Sequence, residues 1–291
     1  DAFSLERVSA SEWRVGVHIA APALGFAPGS ALDAIARERL SSAYLPGMKF
    51  TMLPEDVIAR YSLDAGAERA AVSLYFNVSA DDLAVRGHHT RLERVRIAAN
   101  LRHGELAALD AAFEEGRSAG LPYEDTLRTL WRFAEALERR RGKASVSSTA
   151  LDFYFRVEDG RVRIEPRRRG APLDKLVSEL MILANATWGE LLAERDVAAL
   201  YRVQASGKVR MSVHAESHEG LGVACYAWLS SPLRRYVDLL NQWQLVAALE
   251  ARKPPFGRSA EGLLAAMRDL DRKSTRLNSS HMSESRMPSS A

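Results

Sequence analysis

Trp13-Arg14-Val15-Gly16-Val17-His18-Ile19 alternates large apolar residues with small or polar ones. A period of two is typical of a strand with one buried face. The same alternation recurs at residues 72–78 and 151–157, and Asp159-Gly160 after the second of these runs is typical of a two-residue hairpin turn. The apolar residues Val162 and Ile164 begin the return strand. The sequence therefore predicts several strands, with at least one antiparallel pair.

Helical periodicity fills much of the remaining chain. Ser30 can cap a helix, with Asp33 three residues on as a capping box requires. Further helices are predicted over residues 92–113, from the break at 120–122 through Leu137, from Lys175 through Leu191, from Pro232 to Ala251 and from Ser259 to Leu270. Strands and helices mix without a regular βαβ order, so we predict an α+β fold with a mixed, mostly antiparallel sheet packed with helices.

The composition is that of a folded globular protein. The chain has 291 residues, of which 47% are apolar, and a net charge of only +3. The one cysteine, Cys225, excludes a disulfide framework and fits a reducing cytoplasm. We see no apolar run long enough to cross a bilayer, so we expect no membrane association, a cytoplasmic location and a monomer. Residues 1–272 are predicted to form one domain, whereas the serine-rich residues 273–291 are predicted to be a disordered, non-native tail.

Two arginines stand where a helix is predicted to begin. Pro232 is suited to the first helical position, which puts Arg234 and Arg235 in the first turn. The helix dipole repels each of them by some tenths of a kcal/mol, so an anion should compensate. From the residues alone this anion is either Asp238, one turn on, or a bound phosphate. Two other basic runs, at 139–143 and 167–170, are either solvated ends of elements or phosphate contacts.

Four stretches in the same order resemble the catalytic domain of the RNase II and RNase R family, the RNB domain. They are Asp1-Ala2-Phe3-Ser4-Leu5-Glu6, Gly29-Ser30-Ala31-Leu32-Asp33, Tyr44-Leu45-Pro46-Gly47 and Ser231-Pro232-Leu233-Arg234-Arg235-Tyr236-Val237-Asp238. The resemblance implies an RNB-type α+β fold and magnesium-assisted hydrolysis of single-stranded RNA from its 3′ end, with release of nucleoside 5′-monophosphates. The family writes its metal-binding acids as Asp-x-Asp-Asp-Ala with one Asp earlier. Only the last acid is present here, as Asp1, so this piece is expected to lack the rest of the metal site.

The resemblance also implies roles for single residues. Asp1 belongs to the catalytic set that positions Mg²⁺, and Arg234 neutralises charge on the scissile phosphate. Arg235 contacts the RNA beside it. Tyr44 stacks on a base near the 3′ end; by spacing alone it would instead pack under the Pro-Gly turn.

Two further RNA contacts follow from the resemblance. Phe153 corresponds to the family's second stacking aromatic, although it shares a strand face with Leu151 and Phe155 and could be buried. Glu179 corresponds to an acid that contacts the ribose, with a surface or intrahelical salt bridge as the alternative.

Some residues depart from the family pattern and keep other functions open. Ala21 replaces a frequent Asp, Ser178 the first of two acids, and Gln242 a frequent His. A non-catalytic RNA-binding relative of the same fold is therefore the alternative to an exoribonuclease, and a nuclease that processes structured RNA is a third possibility. His18 and His218 have no second metal ligand at a suitable spacing and are expected to be structural.

Overall fold

The fold combines one large antiparallel sheet with a layer of helices and three peripheral hairpins. The structure is a computed structural model that describes residues 1–45, 47–101, 103–143, 151–158, 161–168, 170–258 and 262–268. The strands are β1 (Ala2–Arg7), β2 (Glu12–Ala20), β3 (Ala43–Leu45), β4 (Met48–Phe50), β5 (Glu68–Ser79), β6 (Val85–Arg96), β7 (Leu151–Glu158), β8 (Arg161–Arg168), β9 (Tyr201–Ala205) and β10 (Lys208–Ser212). The helices are α1 (Ala31–Arg39), α2 (Glu55–Tyr61), α3 (His103–Glu114), α4 (Glu124–Arg140), α5 (Pro172–Glu194) and α6 (Tyr236–Leu249).

The large sheet has the strand order β1-β2-β5-β6, with every pair antiparallel. Val17 on β2 lies opposite Leu74 on β5, and both side chains are fully buried. The alternating apolar residues of these strands face the helices and form the main core with α4 and α5. The α+β class and the strands at residues 13–19, 72–78 and 151–157 are confirmed.

The prediction of a helix over residues 92–113 is wrong for its first part. Residues up to Arg96 belong to β6, and the helix α3 begins only at His103. β6 pairs with β5 from Val85 to Arg96, so backbone hydrogen bonds to a neighbouring strand override the local helical spacing. Strands β1, β3, β4, β9 and β10 were not predicted.

The central helix α5 is long and apolar enough to span a bilayer, so the expectation that no segment reaches that length is wrong. Of its most apolar window, 56% is buried inside the protein. Leu176 and Leu180 lie in the main core, and the Trp188 indole donates a hydrogen bond to Thr90 Oγ1 on β6 at 3.1 Å. These contacts are those of a core helix. A helix buried in a protein core can be as long and as apolar as one that crosses a bilayer.

The last long helix, α6, starts four residues later than the sequence predicts. Residues 232–234 form a turn, and Arg235 is the N-cap residue with extended backbone angles (φ −136°, ψ 127°). An antiparallel β-bridge to Ser41 holds the backbone of Arg235 extended, and no local sequence pattern predicts this pairing. From Tyr236 onward α6 is almost entirely buried. Its first part packs in a second core with Met52, Leu53 and a short helix over residues 262–268, and its last part, from Leu245, packs in the main core.

Three predicted features cannot be compared with the structure. Asp159-Gly160, the cap at Ser259 and the tail 273–291 lie outside the described residues. The return strand that follows Asp159-Gly160 is confirmed as β8, which pairs antiparallel with β7.

Candidate functional site

The segment that carries the two arginines is fastened to the chain just before β3. The Ser42 amide donates a hydrogen bond to the Arg234 carbonyl at 2.9 Å, and the Tyr236 amide donates to the Leu40 carbonyl at 2.8 Å. These bonds flank the β-bridge between Ser41 and Arg235. The backbone of the arginines is therefore fixed beside the start of the β3–β4 hairpin.

Side chains from the other sequence blocks meet at the same place. Asp33 Oδ2 accepts the Gly29 amide at 2.7 Å, and Asp33 Oδ1 accepts the Tyr236 hydroxyl at 2.8 Å. The Asp33 amide in turn donates to the Ser30 hydroxyl at 3.3 Å, which confirms Ser30 as the cap of α1. Buried Asp33 thus joins the start of α1 to the start of α6.

Arg235 has a protein partner. Its Nε and Nη2 atoms donate to the two carboxylate oxygens of Asp238, both at 2.7 Å. Asp238 is fully buried and also accepts the Ser231 amide at 2.8 Å. Arg235 Nη2 lies 3.4 Å from the Ser230 hydroxyl as well. Asp238 is therefore the compensating anion for Arg235. The guanidinium donors of Arg235 are largely engaged in these contacts, and its contact with RNA stays a prediction.

Arg234 is different, because it is exposed and pairs with no carboxylate among the described residues. It lies towards Asp1. Burial of the Asp1 amino group, and then the positive charge of Arg234, lower the pKa of that amino group, although Asp1 as a residue is exposed. Ala2, which follows Asp1, and Leu233, which precedes Arg234, pack against the same small apolar cluster. This cluster is formed by Ala20, Leu63 and Ile97. The two predicted catalytic residues, 233 positions apart, are thus brought into one region of the fold.

The described residues do not make a complete magnesium site. They contain no group of three or more His, Cys, Asp or Glu side chains arranged to hold a metal ion. Magnesium needs near-octahedral oxygen coordination, usually from one or two carboxylates with water and substrate oxygens. Asp1 can supply one carboxylate, and the part of the chain that the structure describes does not assemble a cluster of acids around it.

Tyr44 lies on the exposed β3–β4 hairpin. Its side chain is 60% exposed, which rules out the alternative that it packs under the Pro-Gly turn. Lys49 is its register partner on β4, and Lys49 Nζ lies 5.9 Å from the centre of the Tyr44 ring. After the hairpin the chain is anchored by Met52 and Leu53, both fully buried. The exposed Tyr44 ring and the neighbouring Lys49 charge therefore lie on a hairpin that is anchored in the core at its end.

Phe153 is also exposed, at 49%, so the alternative of burial in a sheet is wrong. It lies on β7, which among the described strands pairs with β8 alone, in a separate two-stranded sheet. A role of Phe153 as the partner of Tyr44 on one base stays a prediction.

Glu179 is buried, with 4% exposure, and faces α4 across the helix pair α4–α5. Arg141, the C-cap residue of α4, donates to it through Nε (3.2 Å) and through Nη2. Burial raises the pKa of Glu179, against the lowering effect of Arg141. The predicted ribose contact therefore falls on a carboxylate that is already in a buried interhelical ion pair. This differs from the surface or intrahelical salt bridge expected as its alternative.

Sequence reasoning missed a polar network on the face of the sheet opposite the helices. His18, 5% exposed, contacts the Ser73 hydroxyl through Nδ1 (2.8 Å) and the Ser4 hydroxyl through Nε2 (2.9 Å). Burial lowers the pKa of His18 to about 4, although Glu93 acts in the opposite direction. Because Ser4 is on β1, the neutral imidazole ties the strand that follows Asp1 to β2 and β5. The expectation that His18 is structural fits this arrangement.

Two of the residues that depart from the family pattern, Gln242 and Ala21, lie where α6 meets the end of β2. Gln242 on α6 donates to the Ala20 carbonyl at 2.9 Å and accepts the Ala23 amide at 3.2 Å. Ala21 between them is fully buried. Gln242 therefore fastens α6 to the end of β2.

Comparison with known proteins decides the family. The model of the RNB domain matches residues 1–212 and 205–251. The chain belongs to the RNB domain family. This RNB domain is 26% identical to Exoribonuclease 2 of Aeromonas hydrophila, over 87% of the chain and 46% of that relative. It spans about half, or less, of the length of the curated relatives it matches.

Solved structures share the fold of this RNB domain. RNase R of Mycoplasma genitalium in complex with ribose-methylated single-stranded RNA superposes with a TM-score of 0.74 at 16% identity, over 91% of this chain and 50% of that one. Yeast Ssd1, described as a pseudonuclease, superposes with a TM-score of 0.73 at 16% identity, over 92% of this chain and 40% of that one. At this level of identity the likeness establishes the fold alone. The relatives include both a ribonuclease and a protein described as a pseudonuclease.

Proposed function

We propose that this RNB domain is the catalytic part of a 3′-to-5′ exoribonuclease that hydrolyses single-stranded RNA to nucleoside 5′-monophosphates. The observation that carries the proposal is the contrast between the two arginines. Arg235 is paired with buried Asp238, whereas Arg234 is exposed, has no acidic partner among the described residues and lies towards Asp1. A guanidinium that has no acidic partner among the described residues, on a backbone held by hydrogen bonds, suits a phosphate group.

In this proposal Arg234 acts by electrostatics. Its planar fork of N–H donors can bind two phosphate oxygens, and its backbone is in place before the substrate arrives because the turn over residues 232–234 is held at both ends. Preorganised donors stabilise the charge that develops during phosphodiester hydrolysis without reorganising in the reaction. Arg235 and Asp238 then serve to hold Arg234 in place.

Tyr44 would supply binding that does not depend on base identity. Stacking of a base on an aromatic ring contributes about 1–3 kcal/mol and tolerates any base. The exposed ring on the β3–β4 hairpin and the nearby Lys49 charge support this role. Phe153, Glu179 and Arg235 are weaker candidates for RNA contact, since the ion pairs described above occupy the last two.

Magnesium is part of the proposal for the intact protein. A bound Mg²⁺ would activate water and stabilise the leaving oxygen. Asp1 would provide one of its ligands, and the acids that complete the site would lie outside the described residues. A monomeric, cytoplasmic protein without membrane association remains our prediction.

A second candidate is a non-catalytic RNA-binding protein of the same fold. It is favoured by Ala21, Ser178 and Gln242, which depart from the family pattern, and by the likeness to yeast Ssd1, described as a pseudonuclease. Both candidates bind RNA, but only the first cleaves it.

The experiment compares wild type, Arg234→Ala and Arg210→Ala in the intact protein. Arg210 is an exposed arginine paired with Glu216, so it serves as a matched control. With labelled oligo(A) and Mg²⁺, we expect mononucleotide release by wild type and the control, loss of cleavage in Arg234→Ala, and RNA binding in all three. Cleavage by Arg234→Ala at the wild-type rate would refute the assigned role. Binding without cleavage by the wild type would favour the non-catalytic relative, and discrete longer products would indicate processing of structured RNA.

A further inference from the structure

Two guanidinium groups lie against one tryptophan next to the candidate site. The Arg235 guanidinium carbon is 4.5 Å from the centre of the Trp228 ring, and that of Arg202 is 5.0 Å from it. Arg202 belongs to β9, and its amide donates to the Tyr226 carbonyl at 2.8 Å. Strand β9 therefore brings Arg202 to the segment that leads into Arg234.

The two arginines differ in their remaining contacts. Arg235 is paired with Asp238 and also contacts Ser230. Arg202 makes no hydrogen bond or ion pair through its side chain with any residue that the structure describes. The fully buried carboxylate of Asp238 already accepts three donors, so it has little capacity left for Arg202.

The charge of Arg202 also acts on nearby polar groups. After burial, which is the largest cause, Arg202 lowers the pKa of His218. It opposes the burial that raises the pKa of Tyr226, and Arg235 acts there in the same direction. Asp238 acts in the opposite direction, so the charges that act on Tyr226 are two positive ones and one negative one.

Stacking leaves an arginine able to bind an anion. A guanidinium that lies over an aromatic ring uses its face, and its N–H donors point outward in the plane of the group. These donors match two oxygens of a phosphate. Because Trp228 limits the motion of the side chain, less conformational entropy is lost when the anion binds.

We propose that Arg202, whose guanidinium lies over the Trp228 ring, binds a backbone phosphate of the RNA at a position separate from the phosphate held by Arg234. The two positions are distinct because Leu233, beside Arg234, packs with Ala2 against one small apolar cluster, whereas Arg235 and Arg202 lie over Trp228. This inference rests on the proposed function, since it takes RNA as the anion.

The test measures binding of labelled oligo(A) by the 291-residue chain in EDTA, at several salt concentrations, for wild type, Arg202→Gln, Arg202→Lys and Arg210→Gln. Loss of one phosphate contact on a single strand makes the negative slope of log K against log salt shallower by about 0.7. The same loss weakens binding roughly fivefold at about 0.1 M salt. We expect both effects in Arg202→Gln. We expect Arg202→Lys to keep the slope with intermediate affinity, because lysine retains the charge but not the stacked fork. Arg210→Gln should match wild type, because Glu216 already pairs with Arg210.

The outcomes separate this inference from the proposed function. An unchanged slope in Arg202→Gln, with wild-type binding intact, overturns the role of Arg202 and leaves the proposed function standing. Weaker binding at an unchanged slope, with a lower melting temperature, would mean a structural role and would also overturn the inference. Failure of the wild-type chain to bind RNA would overturn both.

Discussion

Replacing His18 with asparagine should remove a large part of the acid sensitivity of the fold. The pKa of His18 is lowered from 6.5 to about 4, with burial as the largest cause, while Glu93 acts against it. The Tyr75 ring packs edge-on against the imidazole at 5.5 Å and helps to cover it. In the folded protein the imidazole is therefore neutral over a pH range where the unfolded chain protonates it.

The sign and size follow from proton linkage. Between pH 6.5 and 4 the unfolded state binds more protons at His18 than the folded state does, so the free energy of unfolding falls as the pH falls. The contribution is fully present above pH 6.5, and the difference between the two pKa values corresponds to about 3 kcal/mol lost by pH 4. Asparagine can hydrogen-bond to Ser4 or Ser73 but does not titrate.

The assay is urea unfolding of the chain at closely spaced pH values from 4 to 7. His18→Asn should be less stable than wild type at pH 7, and the gap should shrink by about 3 kcal/mol towards pH 4. His214→Asn serves as the control, because His214 is an exposed histidine in the loop after β10. If the difference in the free energy of unfolding between wild type and His18→Asn stays constant from pH 4 to 7, the conclusion that the buried imidazole of His18 is neutral is refuted.

Two further substitutions test contacts around the site. Gly16→Ala would place a Cβ 2.3 Å from Ser4 Oγ and 2.8 Å from His18 Nε2, so we expect a loss of about 1–3 kcal/mol in urea unfolding, and wild-type stability would contradict this packing. Asp238→Ala removes the partner of Arg235 at a fully buried position, and we expect a loss of about 3–5 kcal/mol. Glu216→Ala breaks an exposed pair with Arg210, so we expect it to destabilise the fold far less than Asp238→Ala does; equal losses in the two variants would refute the importance of burial.

Much of the site could be anticipated from local patterns. The alternation at residues 13–19 and 72–78 predicts the two central strands, because period two is a local property of the backbone. Exposure of Tyr44 and Phe153 was implied only by the family resemblance, since spacing alone favoured packing for Tyr44 and left burial open for Phe153. Asp238 was correctly considered as a compensating acid, but its partner is Arg235 and not Arg234.

The sequence by itself determined the α+β class, the central strands, the cap of α1 at Ser30 and the blocks that indicate an RNB domain. Tertiary structure alone decided that Arg96 ends a strand, that α6 begins after Arg235, and that Glu179 pairs with Arg141. It also decided that Asp1 and Arg234 share one region. Capping and alternation act between residues a few positions apart, so they are visible in sequence. Strand pairing, buried ion pairs and desolvation join residues far apart in the chain, and their energies exist only once the fold has brought those residues together.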